Sequence, residues 1–135
     1  MSTPHAVVNP PTLAPAVGFA HAVVAAPGRT VWLGGQTGVD VTGRVVGGSL
    51  VEQFDRAAAN VVAALAAAGA GPEHLVSMLI CTTDMSAYRS ALPELGAAYR
   101  RRLGRHYPAT ALVGVTQLFD GEALVELICV AVVPE

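Results

Sequence analysis

An α+β layer, with two helices packed on one face of a mixed β-sheet, is the fold this 135-residue chain predicts. Three observations carry it. Apolar residues recur at helical spacing through Leu50, Phe54, Ala57, Val61, Leu65 and Ala68. Leu75 to Cys81 is a nearly continuous apolar run, as expected of a strand covered on both faces. Two more such runs, Ala109 to Leu118 and Leu124 to Val133, close the chain around a turn at Asp120-Gly121.

The elements follow in order. Residues 1–15 carry four prolines and read as an extended lead-in to a single domain spanning 1–135. VGFAHAVVA, residues 17–25, suits a strand, and Pro27-Gly28 turns the chain into a second one at Val31. Val39 to Val46 reads as a hairpin. Ser49 and Glu52 have capping-box spacing, so the first helix starts there and stops at Gly69-Ala70-Gly71-Pro72. Ser86 to Ser90 forms a helical turn. Pro93 opens a second helix, which runs to about Leu103 with Gly104 as its C-terminal cap.

Composition narrows the function classes. Hydrophobic residues make up 53% of the chain and charged residues 13%. So much apolar surface on so short a chain points to an oligomer whose interfaces cover the excess. A membrane span fails on length, because the apolar stretches reach about ten residues where about 20 are needed. The N-terminus lacks the charged-then-apolar pattern of a signal peptide, so a cytoplasmic protein is expected. A net charge of −2 and 5% aromatic content offer little surface to nucleic acid. Cys81 and Cys129 lie within apolar runs and read as buried free thiols. Neither metal-ligand spacing nor a cofactor motif is present, so no metal and no cofactor are expected.

Glu126 is the sharpest anomaly. In strand geometry it shares a face with Leu124, Ile128, Val130 and Val132, and the opposite face is apolar too. Burying it unpaired costs several kcal/mol. It must be partnered, protonated, solvated at the strand start, or open into a cleft where it holds a water or moves a proton. Gly34-Gly35-Gln36-Thr37-Gly38 lets backbone approach a ligand, or else forms a bulge before the hairpin. Arg100, Arg101, Arg102 and Arg105 end the second helix, where cations complement its dipole. His5, His21, His74 and His106 are scattered and suggest no triad.

Taken in order, VGFAHAV, VWLGGQTGVD-x-x-GRVVGG, EQFDRAAANVVAALAAAGAGPEHLV, TTDM-x-x-Y, YPATALVGV and ALVELICVAVV resemble the RidA/YjgF family, also called endoribonuclease L-PSP-like. The resemblance covers about residues 16 to 133. It implies a chorismate-mutase-like fold, a homotrimer with three clefts between subunits, and hydrolysis of reactive enamines and imines to keto acids and ammonia. It implies a catalytic role for Glu126, which matches the glutamate that positions the attacking water. Gly35 and Gln36 match the loop lining the site. Phe19, Ala20, Tyr88, Thr110 and Leu112 complete the implied substrate-binding set.

The departures from the family pattern matter. The family's deaminases read Pro-Ala-Arg, and the arginine grips the substrate carboxylate with a bidentate fork. This chain reads Pro108-Ala109-Thr110. Losing such a contact costs about 2–5 kcal/mol, which disfavours standard 2-imino-acid deamination. Ala20 follows Phe19 where the family has its usual aromatic, and Leu112 replaces a frequent Cys. Arg105 is a candidate substitute for the missing arginine, although it precedes the turn into the strand. Three functions compete: an enzyme using a Glu126-held water, a non-catalytic small-ligand-binding trimer, and an RNA-directed role that only the arginine cluster favours.

Overall fold

The computed structural model describes residues 2–135. Its main sheet has five strands. β3 (Gly28–Trp32), β7 (Val125–Pro134), β5 (Leu75–Thr82) and β6 (Ala109–Gly114) lie side by side in that order, and β4 (Gln36–Thr37) follows β3 along β7. Only β5 and β6 pair in parallel. Parallel neighbours need a crossover, supplied here by α2 (Met85–Ser90) and α3 (Leu92–Leu103). β1 (Ala6–Val8) and β2 (Ala22–Val24) form a separate antiparallel pair.

α1 (Leu50–Ala67) starts where the capping spacing predicts, with Ser49 Oγ accepting the Glu52 amide at 3.2 Å. Its apolar stripe is fully buried: Phe54, Ala57, Val61 and Leu65 expose 1% or less. α3 presents Leu95, Ala98 and Leu103 to the same core, and the sheet contributes Met78, Ile80, Leu127 and Cys129. Each large apolar side chain so covered contributes about 1.5–3 kcal/mol. Pro93 sits in the first turn of α3, and Gly104 (φ 81°) ends it in the left-handed region that favours glycine. Both cysteines are free and buried.

Several boundaries differ from expectation; β3, for one, already begins at Gly28, where a turn leading to a strand at Val31 is expected. The strand expected over residues 17–25 is regular only at Ala22–Val24. Gly18 turns there with φ 75°, and Ala20 instead bridges to Ala109, its amide donating to the Pro108 carbonyl at 3.1 Å. The hairpin expected at Val39–Val46 reduces to one bridge, Val39 to Val45. Asp40 makes its turn, accepting the Thr42 and Arg44 amides at 2.9 and 3.1 Å. β6 stops at Gly114 rather than Leu118, because its neighbour β5 ends at Thr82.

The lead-in is more built than its prolines imply. It supplies β1 and places His5 in the interior at 6% exposure. The Ala26 amide donates to His5 Nδ1 at 3.0 Å, so the ring proton sits on Nε2. Nε2 then donates to the carbonyls of Val132 and His74, at 3.0 and 3.1 Å.

Candidate functional site

Strand alternation sorts the candidate residues onto two faces of the sheet. On β7, Val125, Leu127, Cys129 and Ala131 point into the core, with 1% exposure or less. Glu126 and Ile128 therefore point to the outer face. Glu126 lies opposite Cys81 on β5 and Thr37 on β4. It is half-buried, which removes most of the burial penalty its surroundings in sequence imply. Its carboxylate rests over Gly35, and a Cβ at that position would overlap Oε2. Burial first, and the Glu126 charge second, push the Cys81 thiol above its ordinary range.

Polar residues of α1 hold this corner. Asn60 Nδ2 donates to the carbonyls of Thr37 and Val39, at 3.0 and 2.9 Å, and Arg56 Nε donates to Val39 at 3.1 Å. Gln53 is buried; its Oε1 accepts the Leu124 amide at 2.7 Å, and its Nε2 donates to Gly47 and Glu122. It thus ties the entry of β7 to the loop before α1. Gln53, Arg56 and Asn60 were not among the sequence candidates. Their i, i+3, i+7 spacing was the available signal. Gln36 folds its side chain back onto the Gly34 carbonyl.

Thr110 and Leu112 belong to the other face. They lie opposite Met78 and Ile80, both core residues. Together with Phe19 and Tyr88 they line a cavity of about 600 Å³ between β6 and the helices α2 and α3. That volume suits a small ligand. Most of the lining is apolar or aromatic, including Phe54, Leu95, Tyr99 and Tyr107. Thr110 Oγ1 donates to the Pro108 carbonyl at 2.8 Å, so its proton is already used. Tyr99 stacks on Tyr107 and donates to the His106 carbonyl at 2.6 Å. Burial pushes the Tyr88 hydroxyl's pKa upward, so it stays a neutral donor. Ala20, at 3% exposure, is covered beside Ala109 instead of lining the cavity.

The sequence candidates thus divide in two. Glu126, Gly35 and Gln36 gather at the β4–β7 edge, while Phe19, Tyr88, Thr110 and Leu112 gather around the cavity. One chain does not bring the two sets together. Arg105 lines a neighbouring groove with Ser2, Asn9 and His106, outside the Thr110 cavity. Arg101 and Arg102 both reach Asp55 on α1, at 2.9 and 3.0 Å. His21, His74 and His106, like His5, bond to backbone groups. Among the described residues, no three of His, Cys, Asp and Glu are grouped to hold a metal ion, and no helix is long and apolar enough to cross a membrane.

Comparison with known proteins agrees with this architecture. The sequence profile of the family described as Endoribonuclease L-PSP matches residues 10–133. RutC family protein UK114 from Drosophila melanogaster is 32% identical over 118 residues, covering 87% of this chain and 80% of its own. The crystal structure of a conserved Rid-family protein of unknown function, YyfB from Yersinia pestis, superposes with a TM-score of 0.87 at 31% identity, covering 96% of this chain and 98% of that one. RidA from an Antarctic Psychrobacter superposes with a TM-score of 0.68 at 27% identity, covering 89% and 92%. The profile match spans nearly the whole chain, and the fold of these relatives is the one described above, so the chain belongs to the endoribonuclease L-PSP family, the Rid/YjgF family.

Proposed function

We propose that this chain acts on small enamines, imines or related carbonyl compounds in a cleft shared between copies of itself in a homotrimer. The Glu126 carboxylate, half-buried over bare Gly35 at the outer face, is the observation that carries this proposal. Glu126 holds a water and takes its proton as the oxygen adds to the C=N carbon. Glu126 then returns that proton to the nitrogen, the carbinol O–H loses its proton as the C–N bond breaks, and ammonia leaves with a carbonyl compound remaining. Each chain offers a Glu126 half-site on one face and a Thr110 half-site on the other. A neighbouring copy is therefore required to complete a site.

Thr110 sets the limit on substrate. Its hydroxyl is committed to Pro108 and it carries no charge, so a 2-imino acid gains no carboxylate clamp at this position. Ammonia release from freshly generated amino-acid-derived imines tests this directly. Wild type is expected to be slow, and Thr110→Arg to be faster by about 30-fold or more. Glu126→Ala abolishes turnover of any substrate found; unchanged turnover in that variant would remove the carboxylate mechanism. A second reading, a non-catalytic ligand-binding trimer, draws support from the apolar cavity lining. Binding of small keto acids or aromatic acids without turnover would select it.

A further inference from the structure

We propose that Arg100 is the anion-reading residue of the Thr110 cavity, and that the cavity takes a ligand with an apolar body and a carboxylate at its solvent end. Arg100 is the one charged side chain in the cavity lining. It is exposed, and with the exposed Leu92 it marks the mouth. Its neighbours in sequence, Arg101 and Arg102, are occupied by Asp55, whereas no carboxylate among the described residues pairs with Arg100. Its guanidinium instead lies over Gly96, one helical turn earlier, where a Cβ would come within 3.3 Å of Nη1. Gly96 lines the cavity as well. A glycine in mid-helix is unfavourable in itself, and here its bare backbone leaves room for the guanidinium beside the mouth.

The chemistry follows from this placement. The cavity interior offers Phe19, Phe54, Met78, Ile80 and Leu95 to a hydrocarbon or aromatic body. The guanidinium at the rim offers a fork that matches a carboxylate. A ligand so bound has its charge at the mouth and its uncharged end toward Thr110. That is the reverse of a ligand held by a cation at position 110.

The inference rests on the cleft proposed above, and calorimetry on the full chain separates the two. The probes are 3-phenylpropanoate and its neutral counterpart, 3-phenylpropanamide. Wild type is expected to bind the acid, and the amide about tenfold more weakly or worse. Arg100→Gln is expected to weaken the acid by a similar factor and to leave the amide unchanged. Gly96→Ala is expected to weaken the acid by displacing the guanidinium, while raising the melting temperature by a few degrees through helix propensity. That opposition of signs distinguishes a binding role from a structural one. Equal acid binding by wild type and Arg100→Gln overturns the assignment of Arg100 but leaves the cleft standing. Equal binding of acid and amide overturns the carboxylate preference. Dissociation of the oligomer in Arg100→Gln overturns the proposal in favour of a contact between copies. No binding of either probe by wild type overturns the cleft itself.

Discussion

At the β4–β7 edge, the side chain that Gly35 lacks makes room for the charged one on Glu126. A methyl group at position 35 would overlap the Glu126 carboxylate, which is the free end of a flexible side chain and can swing away. Gly35→Ala is therefore expected to leave the fold intact and move the carboxylate. On the proposed mechanism, in which Glu126 is a reacting group, a displacement of about 1 Å can cost 100-fold, so turnover is expected to fall by about that factor. Cys81 gives a second readout. Its thiol is held high by burial and then by the Glu126 charge, so alkylation at fixed pH is expected to quicken when that charge moves. Glu126 was legible in the sequence because a carboxylate within an apolar strand is an energetic anomaly. Gly35 was legible only as part of a glycine-rich loop, since its reason is a contact between that loop and a strand far away in sequence. Arg100 was not legible: three consecutive arginines look alike until the helix is placed, when two face α1 and one faces the cavity.

Among the elements, α1 does two jobs. Its apolar stripe builds the core, and Gln53, Arg56 and Asn60 hold the backbone around the β4 corner. The periodicity exposes the first job plainly and the second only as a polar remainder. Strand ends were less legible for a related reason. β6 stops where β5 stops, and the residues before β2 are redirected by Gly18, so both limits depend on partners rather than on local composition. The tie between α1 and α3 is electrostatic at the surface. Hydrogen bonds from Arg102 and then Arg101 hold the Asp55 carboxyl below the usual carboxylate range. A carboxyl with a lowered folded pKa stabilises the fold at pH values above its unfolded pKa of about 4. That contribution is lost as pH falls through the folded value. Asp55→Asn is expected to cost about 1 kcal/mol in urea unfolding at pH 7, since the pair is partly exposed, and progressively less as pH falls through the acid range.

For the whole molecule, the fold class was readable because apolar periodicity, turn residues and caps all agree. The candidate site was not, because its residues lie on opposite faces of the sheet. A list of site residues carries no sign of which face each one occupies until strand register is known. Register places Glu126 with Cys81 on the outer face and Thr110 with Met78 on the core face. On the proposed cleft shared between copies, this geometry has a genetic consequence. Two defective alleles, Glu126→Ala and the cavity-filling Thr110→Trp, damage different half-sites. Mixed in equal amounts and co-assembled, they are expected to pair an undamaged Glu126 half with an undamaged Thr110 half at roughly a quarter of the interfaces. Two inactive preparations would then recover activity on reassembly, as in intragenic complementation. A protein whose sites lay within single chains would recover none.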